Sequence, residues 1–107
     1  MEDHAEAIKA YRRAIELDPG DSDAYFNLAM TYSGMDEMEL AMGALKDVVR
    51  IEPEHAETHH LLSRGYCTAG KWKEAQVHLL RAEELGYQVP HQLGKALEAR
   101  LRDVGSP

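Results

Sequence analysis

Two segments of the sequence share one pattern of residue types: YRRAIELDPGDSDAYFNLAMTY at residues 11–32 and LKDVVRIEPEHAETHHLLSRGY at residues 45–66. Each stretch runs through a helical segment, an acidic residue, a proline, a polar turn and a second helical segment. A fixed period of 34 residues is the signature of stacked supersecondary units. Three further sets keep the same spacing: Ala7, Ala41 and Ala75; Tyr11, Leu45 and Leu79; Ala14, Val48 and Ala82. We therefore predict a repeated unit of two helices and two turns, called here the front helix and the back helix.

The residue types of this unit resemble those of the tetratricopeptide repeat family. The first complete unit supplies Tyr25, Leu28, Ala29, Tyr32, Ala41, Leu45 and Pro53. The second supplies His59, Leu62, Ser63, Tyr66, Ala75 and Leu79, with Tyr87 at the position of the proline. The resemblance implies an all-α fold, a right-handed α-α superhelix of antiparallel helix pairs. Within each pair, we expect a small alanine of the back helix to let the two axes approach closely, with a tyrosine packed beside it.

The periodicity gives the organisation of the chain. We predict helices at about 3–17, 22–34, 36–51, 56–69, 71–85 and 90–104. We expect a single domain over 1–107, with the back half of a repeat at 1–21, repeats at 22–55 and 56–89, a capping helix at 90–104 and a tail at 105–107. The last helix has a narrow apolar stripe and a polar remainder, as a C-terminal capping helix requires.

The turns between helices carry their own signals. We expect Gly34 and Gly70 to supply the permissive backbone between the two helices of each unit. Asp36 followed by Glu39 favours an N-cap with a reciprocal capping carboxylate. Gly86 is a suitable helix C-cap.

Composition excludes several classes of protein. The chain has 107 residues, enough for one domain, and only 7% are aromatic, which favours helices over a sheet-built fold. Its 19 acidic and 12 basic residues argue against a nucleic-acid partner, which needs a basic field. No apolar run has the length of a membrane span, so we expect no membrane insertion. The single cysteine, Cys67, forms no internal disulfide, and a cytoplasmic location is the default.

We expect no catalysis, no metal and no cofactor. His55, His59 and His60 cluster, but His59 occupies a packing position, and Glu52 is the one nearby carboxylate that could add to a tetrahedral set. The remaining histidines, including His78, are expected to face solvent. Cys67 has no histidine within reach in the sequence to act as its base, so we interpret it as a structural thiol. The prediction is a protein that is not an enzyme.

A binding surface follows from the architecture instead. Stacked helix pairs form a curved solenoid whose concave wall is lined by front helices. We expect a protein or peptide partner in this groove, contacted by Asp23, Phe26, Asn27, Met30, Glu57, His60, Leu61 and Arg64. The family resemblance also implies one ligand class, the acidic C-terminal tails of heat-shock chaperones. Asn27 matches that pattern, but Glu57 and Leu61 stand where basic residues would grip such a tail, which argues against it.

The first helix suggests an alternative function. Ala7, Tyr11 and Ala14 lie on a face that normally packs against the front helix of the same unit, so this end is expected to be uncapped. Three explanations are open. The chain is a fragment of a longer repeat protein, for example a regulatory fragment; a second copy covers the face in a homo-oligomer; or the face remains exposed to solvent. Residues 1–55 hold 13 acids and 5 bases, whereas residues 56–107 hold 6 acids and 7 bases. This asymmetry favours head-to-tail stacking or a partner with a basic patch.

Overall fold

Residues 3–105 fold into six α-helices. The computed structural model describes residues 3–105, with side chains to Arg102, and these residues contain no β-strand. The helices are α1 (His4–Leu17), α2 (Ser22–Gly34), α3 (Met38–Ile51), α4 (Ala56–Thr68), α5 (Trp72–Glu84) and α6 (His91–Gly105). Each predicted helix is confirmed, with ends displaced by no more than two residues. The predicted tail at 105–107 lies, after Gly105, outside the described residues.

The chain divides into two compact units, Met1–Pro53 and Glu54–Pro107. The first unit holds α1 and the pair α2 and α3, and the second holds the pair α4 and α5 followed by α6. The division into repeats within one domain stays a prediction from the sequence.

In the first unit, a small alanine lets two helices pack closely. Ala41 of α3 is 2% exposed and forms a cluster with Leu28 and Tyr32 of α2. Ile8, Tyr11 and Ile15 of α1 pack against the same cluster. At the other end, Ser22 Oγ donates a hydrogen bond to the Glu52 carboxylate, which ties the start of α2 to the end of α3. The α2–α3 pair is therefore antiparallel.

The second unit repeats this construction. Ala75 of α5 is fully buried beside Tyr66 of α4, as the sequence predicts. Ser63 Oγ donates a hydrogen bond of 2.7 Å to the carbonyl oxygen of Ala75, which keeps the two helix axes close. α6 closes the unit with Leu97, which is 2% exposed and packs on Ala75 and Leu79. The capping role predicted for this helix agrees with that packing.

The turn between α2 and α3 differs from the expectation in two respects. Asp36, not Gly34, has the left-handed backbone between α2 and α3, with φ of 61°, and Gly34 is the last residue of α2. The equivalent residue one repeat later is Gly70, whose φ is 75°. Aspartate is one of the few side chains that tolerate this conformation. The expected N-cap at Asp36 is wrong for the same reason, since α3 begins at Met38 after Glu37 without a side-chain cap.

The three helix C-termini that have this turn share one hydrogen-bond pattern. The amide of Glu37 donates to the carbonyl of Tyr32, that of Lys71 to Tyr66, and that of Tyr87 to Ala82, each at 2.9 Å. This six-to-one bond is the Schellman closure, which satisfies a carbonyl left open at the helix end. Gly86, predicted as the C-cap, has a left-handed backbone with φ of 89° and follows Leu85, which is the C-cap residue of α5.

Candidate functional site

The outward face of α2 carries the first group of predicted contact residues. Asp23, Asn27 and Met30 are exposed, and Met30 is 37% exposed despite its apolar side chain. The three positions share one face of the helix because they are four and three residues apart. Phe26 is half-buried beside them. The opposite face is committed to the core through Ser22, Ala24, Leu28, Ala29 and Tyr32.

A cavity of about 440 Å³ adjoins this face in the first unit. α1 and the residue before it contribute Asp3, His4, Ala7 and Tyr11, and α2 contributes Asn27, Met30, Thr31 and Gly34. Of these lining residues, Asp3, His4, Thr31 and Gly34 are not among the contact residues predicted from the sequence. The available signal for Thr31 is its spacing of four from Asn27, whose carbonyl oxygen accepts a 2.9 Å hydrogen bond from Thr31 Oγ1.

The outward face of α4 holds the second group, and its members differ in exposure. Glu57 and Arg64 are exposed, and Leu61 is half-buried. His60 is only 7% exposed, because the ring of Tyr87 stacks on it with ring centroids 4.9 Å apart. The segment after α5 thus covers this histidine, a contact that the helical period of α4 does not predict.

The environment of His60 favours its neutral form. Its Nδ1 is buried and has no hydrogen-bond partner in the described part of the chain. Burial lowers the pKa of His60 below its ordinary value, the Arg64 charge lowers it further, and Glu57 opposes the shift. An acidic ligand group beside Arg64 would reduce the effect of that cation.

A second histidine contact joins α4 to α5. Nδ1 of His59 and Nδ1 of His78 are 3.0 Å apart, so one ring donates and the other accepts. The ring of His78 also stacks with Tyr66, with centroids 5.5 Å apart. His78 is half-buried, so the expectation that it faces solvent is wrong. The packing role predicted for His59 agrees with its 7% exposure.

His55 and Cys67, the possible metal ligand and the possible nucleophile, both contribute to the packing or capping of α4. His55 is the N-cap of α4, where its Nδ1 accepts a hydrogen bond of 3.3 Å from the amide of Thr58. Among residues 3–102, no group of three histidine, cysteine or carboxylate side chains is placed to hold a metal ion. Cys67 is half-buried, and burial raises the pKa of its thiol. A raised pKa leaves less thiolate, which is the nucleophilic form.

The predicted self-association face on α1 is partly covered within its own unit. Ala7, Tyr11 and Ala14 are half-buried, and Tyr11 packs against the cluster of Leu28 and Tyr32. Arg12 Nη2 donates a 2.9 Å hydrogen bond to the hydroxyl oxygen of Tyr32, which also fixes α1 on α2. α1 nevertheless contains no fully buried residue.

Antiparallel helix pairs that repeat at 34 residues and leave polar and apolar side chains exposed on their front helices define a helical-repeat interaction protein. The family model for the tetratricopeptide repeat matches residues 1–64. The chain belongs to the tetratricopeptide repeat family. No helix within residues 3–105 combines the length and the apolar character needed to cross a membrane.

Two relatives and one solved structure illustrate the similarity. The TPR repeat-containing thioredoxin TTL4 of Arabidopsis thaliana is 30% identical over 92% of the chain, and a DnaJ homolog subfamily C member 7 homolog of Schizosaccharomyces pombe is 38% identical over 71%. The chain spans 14% and 16% of these two proteins. The first TPR of Spaghetti (RPAP3), bound to the HSP90 peptide SRMEEVD, superposes with a TM-score of 0.76 at 18% identity, covering 96% of the chain and 81% of that chain. The described helices of this chain share the all-α, tetratricopeptide-like fold of that structure.

Proposed function

We propose that the chain is a non-catalytic scaffold module that binds a peptide segment of a partner protein through the outward faces of α2 and α4. The observation that carries the proposal is the exposure of Asn27 and Met30 side by side on α2, a helix whose other face is buried. A solved tetratricopeptide structure with a bound peptide supports the same use of the fold.

The side chains on the α2 face can bind a peptide through hydrogen bonds to its backbone and apolar contact with one of its side chains. Asn27 offers both a donor and an acceptor for one peptide unit. Met30 presents a flexible, polarizable thioether that adapts to irregular apolar groups. Phe26, which is half-buried next to Asn27 on α2, adds apolar surface to this face.

The chemistry of the α4 face adds a charge preference. Arg64 is exposed and presents a forked cation that binds carboxylates in a bidentate manner. Glu57, two turns earlier on the same helix, disfavours a second acidic group there. The preferred ligand is therefore a peptide with an apolar residue and one acidic residue, rather than a run of acids.

Peptide display against the intact chain, followed by calorimetric titration of the selected peptide, tests this function. The double variant Met30→Ala and Arg64→Ala should abolish binding, because it removes the apolar contact and the carboxylate partner. Helicity measured by circular dichroism should not change, since both side chains are exposed.

A matched control is available on the back helix α3. Met38, which is 41% exposed, and Arg50, also exposed, give the double variant Met38→Ala and Arg50→Ala. This control should bind as the wild type does. If the first variant still binds, or if both variants lose binding equally, the front-helix faces are not the binding surface.

A further inference from the structure

The outer face of α5 carries two apolar side chains that are exposed to solvent, called here the α5 patch. Val77 is 65% exposed and Leu80 is 50% exposed, and they lie three residues apart on one face of the helix. This face is opposite the buried stripe, which consists of Ala75, Leu79 and Ala82. A single exposed apolar side chain is common, but two adjacent ones form a surface suited to a contact.

The repeat shows that this face is an outer surface in every back helix. The equivalent positions of the other back helices hold polar residues or glycine, all of them exposed: Lys9 and Arg12 on α1, and Gly43 and Lys46 on α3. A further helix pair follows each of these two helices, and it does not cover these positions. The exposure of the α5 patch therefore does not depend on what precedes or follows the chain.

The charged residues at the two ends of the α5 patch are arranged symmetrically. Lys73 lies four residues before Val77, and Glu84 lies four residues after Leu80, so the four side chains form one exposed stripe. The stripe has the same spacing when it is read from either end, with a cation at one end and an anion at the other. It is therefore self-complementary, because an antiparallel copy of the helix places Val77 against Leu80 and Lys73 against Glu84.

We propose that two copies of the chain associate through α5, with the two helices antiparallel about a two-fold axis that passes between Val77 and Leu80. The contact is isologous, so it closes at a dimer and does not extend further. The inference does not depend on peptide binding, because α5 is a back helix and the proposed peptide surface lies on α2 and α4.

The residues beside the stripe fit the same two-fold axis. Glu74 and Arg81 lie on one side of the stripe, and the axis brings Arg81 of one copy towards Glu74 of the other. Gln76 and Glu83 lie on the opposite side, where an amide of one copy meets a carboxylate of the other. Glu74 and Glu83 are exposed, and Gln76 and Arg81 are half-buried. The antiparallel pairing therefore matches opposite charges on the stripe and beside it.

The contacts within the chain leave these charges available. Arg81 Nη1 is 3.1 Å from Glu84 Oε2, but both side chains are substantially exposed, and an exposed pair of this kind contributes little to stability. The Glu84 carboxylate has further lone pairs for Lys73 of a second copy. The groove beside Lys73 is also lined by Glu98 and Arg102 of α6, one of each sign, so α6 does not reverse the charge at this end of the stripe.

The size of the contact sets the expected strength of the dimer. α5 has 13 residues, and one pair of such helices buries less than the roughly 1,200 Å² of a standard interface. Association is therefore expected to be reversible and weak. Sedimentation equilibrium of the full chain, from about 10 μM to about 1 mM, should show a monomer–dimer equilibrium whose mass does not exceed that of the dimer.

Charge reversal at the two ends of the stripe tests the two-fold axis. Lys73→Glu and Glu84→Lys should each weaken association by about tenfold or more, because each places like charges together at both ends of the contact. An equimolar mixture of the two variants should associate more tightly than either variant alone, because both ends then join opposite charges. The complex in the mixture should contain one copy of each variant.

A second pair of variants controls for net charge. Lys9→Glu and Glu39→Lys make the same changes of charge at exposed positions outside α5. Each of these variants should associate as the wild type does, and their mixture should show no comparable gain over its components. A gain of equal size would mean that net charge, and not the α5 stripe, causes the rescue, and it would contradict the proposal.

The apolar centre of the contact has a matched control on α3. Leu80→Lys introduces the residue type that α3 has at this position, and it should remove the dimer from the same concentration range. Leu40→Lys, at a leucine that is also 50% exposed, should leave the dimer unchanged. Circular dichroism should show equal helicity in all variants, since every substituted side chain is exposed.

The proposed peptide surface is tested separately. The double variant Met30→Ala and Arg64→Ala should dimerise as the wild type does, whether or not it binds peptide. A wild type that stays monomeric up to the highest concentration, a mass that grows beyond the dimer, or a mixture of Lys73→Glu and Glu84→Lys that associates no more tightly than its components would overturn the α5 dimer.

Discussion

Asp36 and Gly70 are one repeat length apart and both have a left-handed backbone, with φ of 61° and 75°. They occupy the same place in the turn between a front and a back helix. At each place the next amide closes the Schellman bond to a tyrosine carbonyl. The repeat therefore sets the backbone conformation at this position. Glycine adopts it without steric cost, whereas aspartate adopts it with its Cβ in a disfavoured position.

This relationship predicts opposite effects for two substitutions. Gly70→Ala should lower the free energy of unfolding by about 1 kcal/mol, because a Cβ is disfavoured in this conformation. Asp36→Gly should raise the free energy of unfolding by up to about 1 kcal/mol, since it relieves the same cost. Urea denaturation followed by circular dichroism measures both.

Gly43 provides the control for this pair. It lies within α3, and an added Cβ would meet nothing within 4 Å. Gly43→Ala should therefore raise the free energy of unfolding by about 1 kcal/mol through helix propensity. If Gly70→Ala were stabilising as well, the backbone argument would be wrong.

The 34-residue period of the sequence predicts the helices and the residues buried between them, but it does not predict the position of the turn between α2 and α3. The helices and the burial of Ala41 and Ala75 follow from side chains that recur at 34 residues. Residue type alone places Gly34 in the turn, whereas backbone hydrogen bonds fix the left-handed position two residues later, at Asp36.

The same limit applies to the candidate site. Asn27 and Met30 are exposed as the helical period predicts. His60 shares that face in the period but is covered by Tyr87, which belongs to a segment where the repeat pattern breaks. A contact made once in the chain leaves no periodic signal.

The alanine at the helix crossing gives a second prediction. Ala75→Leu should lower the free energy of unfolding by about 1–3 kcal/mol, because the added atoms overpack a fully buried site next to the Ser63 hydrogen bond. Thermal and urea denaturation of the purified variant measure the loss. Ala99→Leu, an exposed substitution of the same size on α6, should change the unfolding free energy by much less. Equal costs at the two positions would contradict close packing at Ala75.

His60 predicts a pH dependence of stability. Its pKa is lowered in the folded state from the ordinary 6.5, first by burial and then by Arg64, so the unfolded chain binds the proton more readily. The contribution of His60 is therefore complete above about pH 6.5, and it is lost progressively as the pH falls below that value towards the folded pKa. Denaturation midpoints measured across this range should fall on acidification.

Two variants isolate the His60 contribution. His60→Phe should reduce the slope and raise the free energy of unfolding by about 1–3 kcal/mol. It keeps a ring against Tyr87 and removes a buried Nδ1 that has no hydrogen-bond partner among the residues that the structure describes. Tyr87→Ala should also reduce the slope, by letting water reach His60, but it should lower stability. A slope that neither variant changes would show that other groups cause the dependence.

We expect the Cys67 thiol to react slowly with disulfide reagents in the folded protein. Burial raises the pKa of its thiol, so at a given pH the folded chain holds less thiolate than the unfolded chain. A disulfide reagent should therefore react several-fold more slowly with the native protein than with the protein in denaturant. The control places the thiol one residue further along α4, at the exposed Thr68, in the double variant Cys67→Ala and Thr68→Cys. This thiol should react faster than Cys67 in the folded protein. An equal or slower rate at position 68 would mean that burial does not control the reactivity of Cys67.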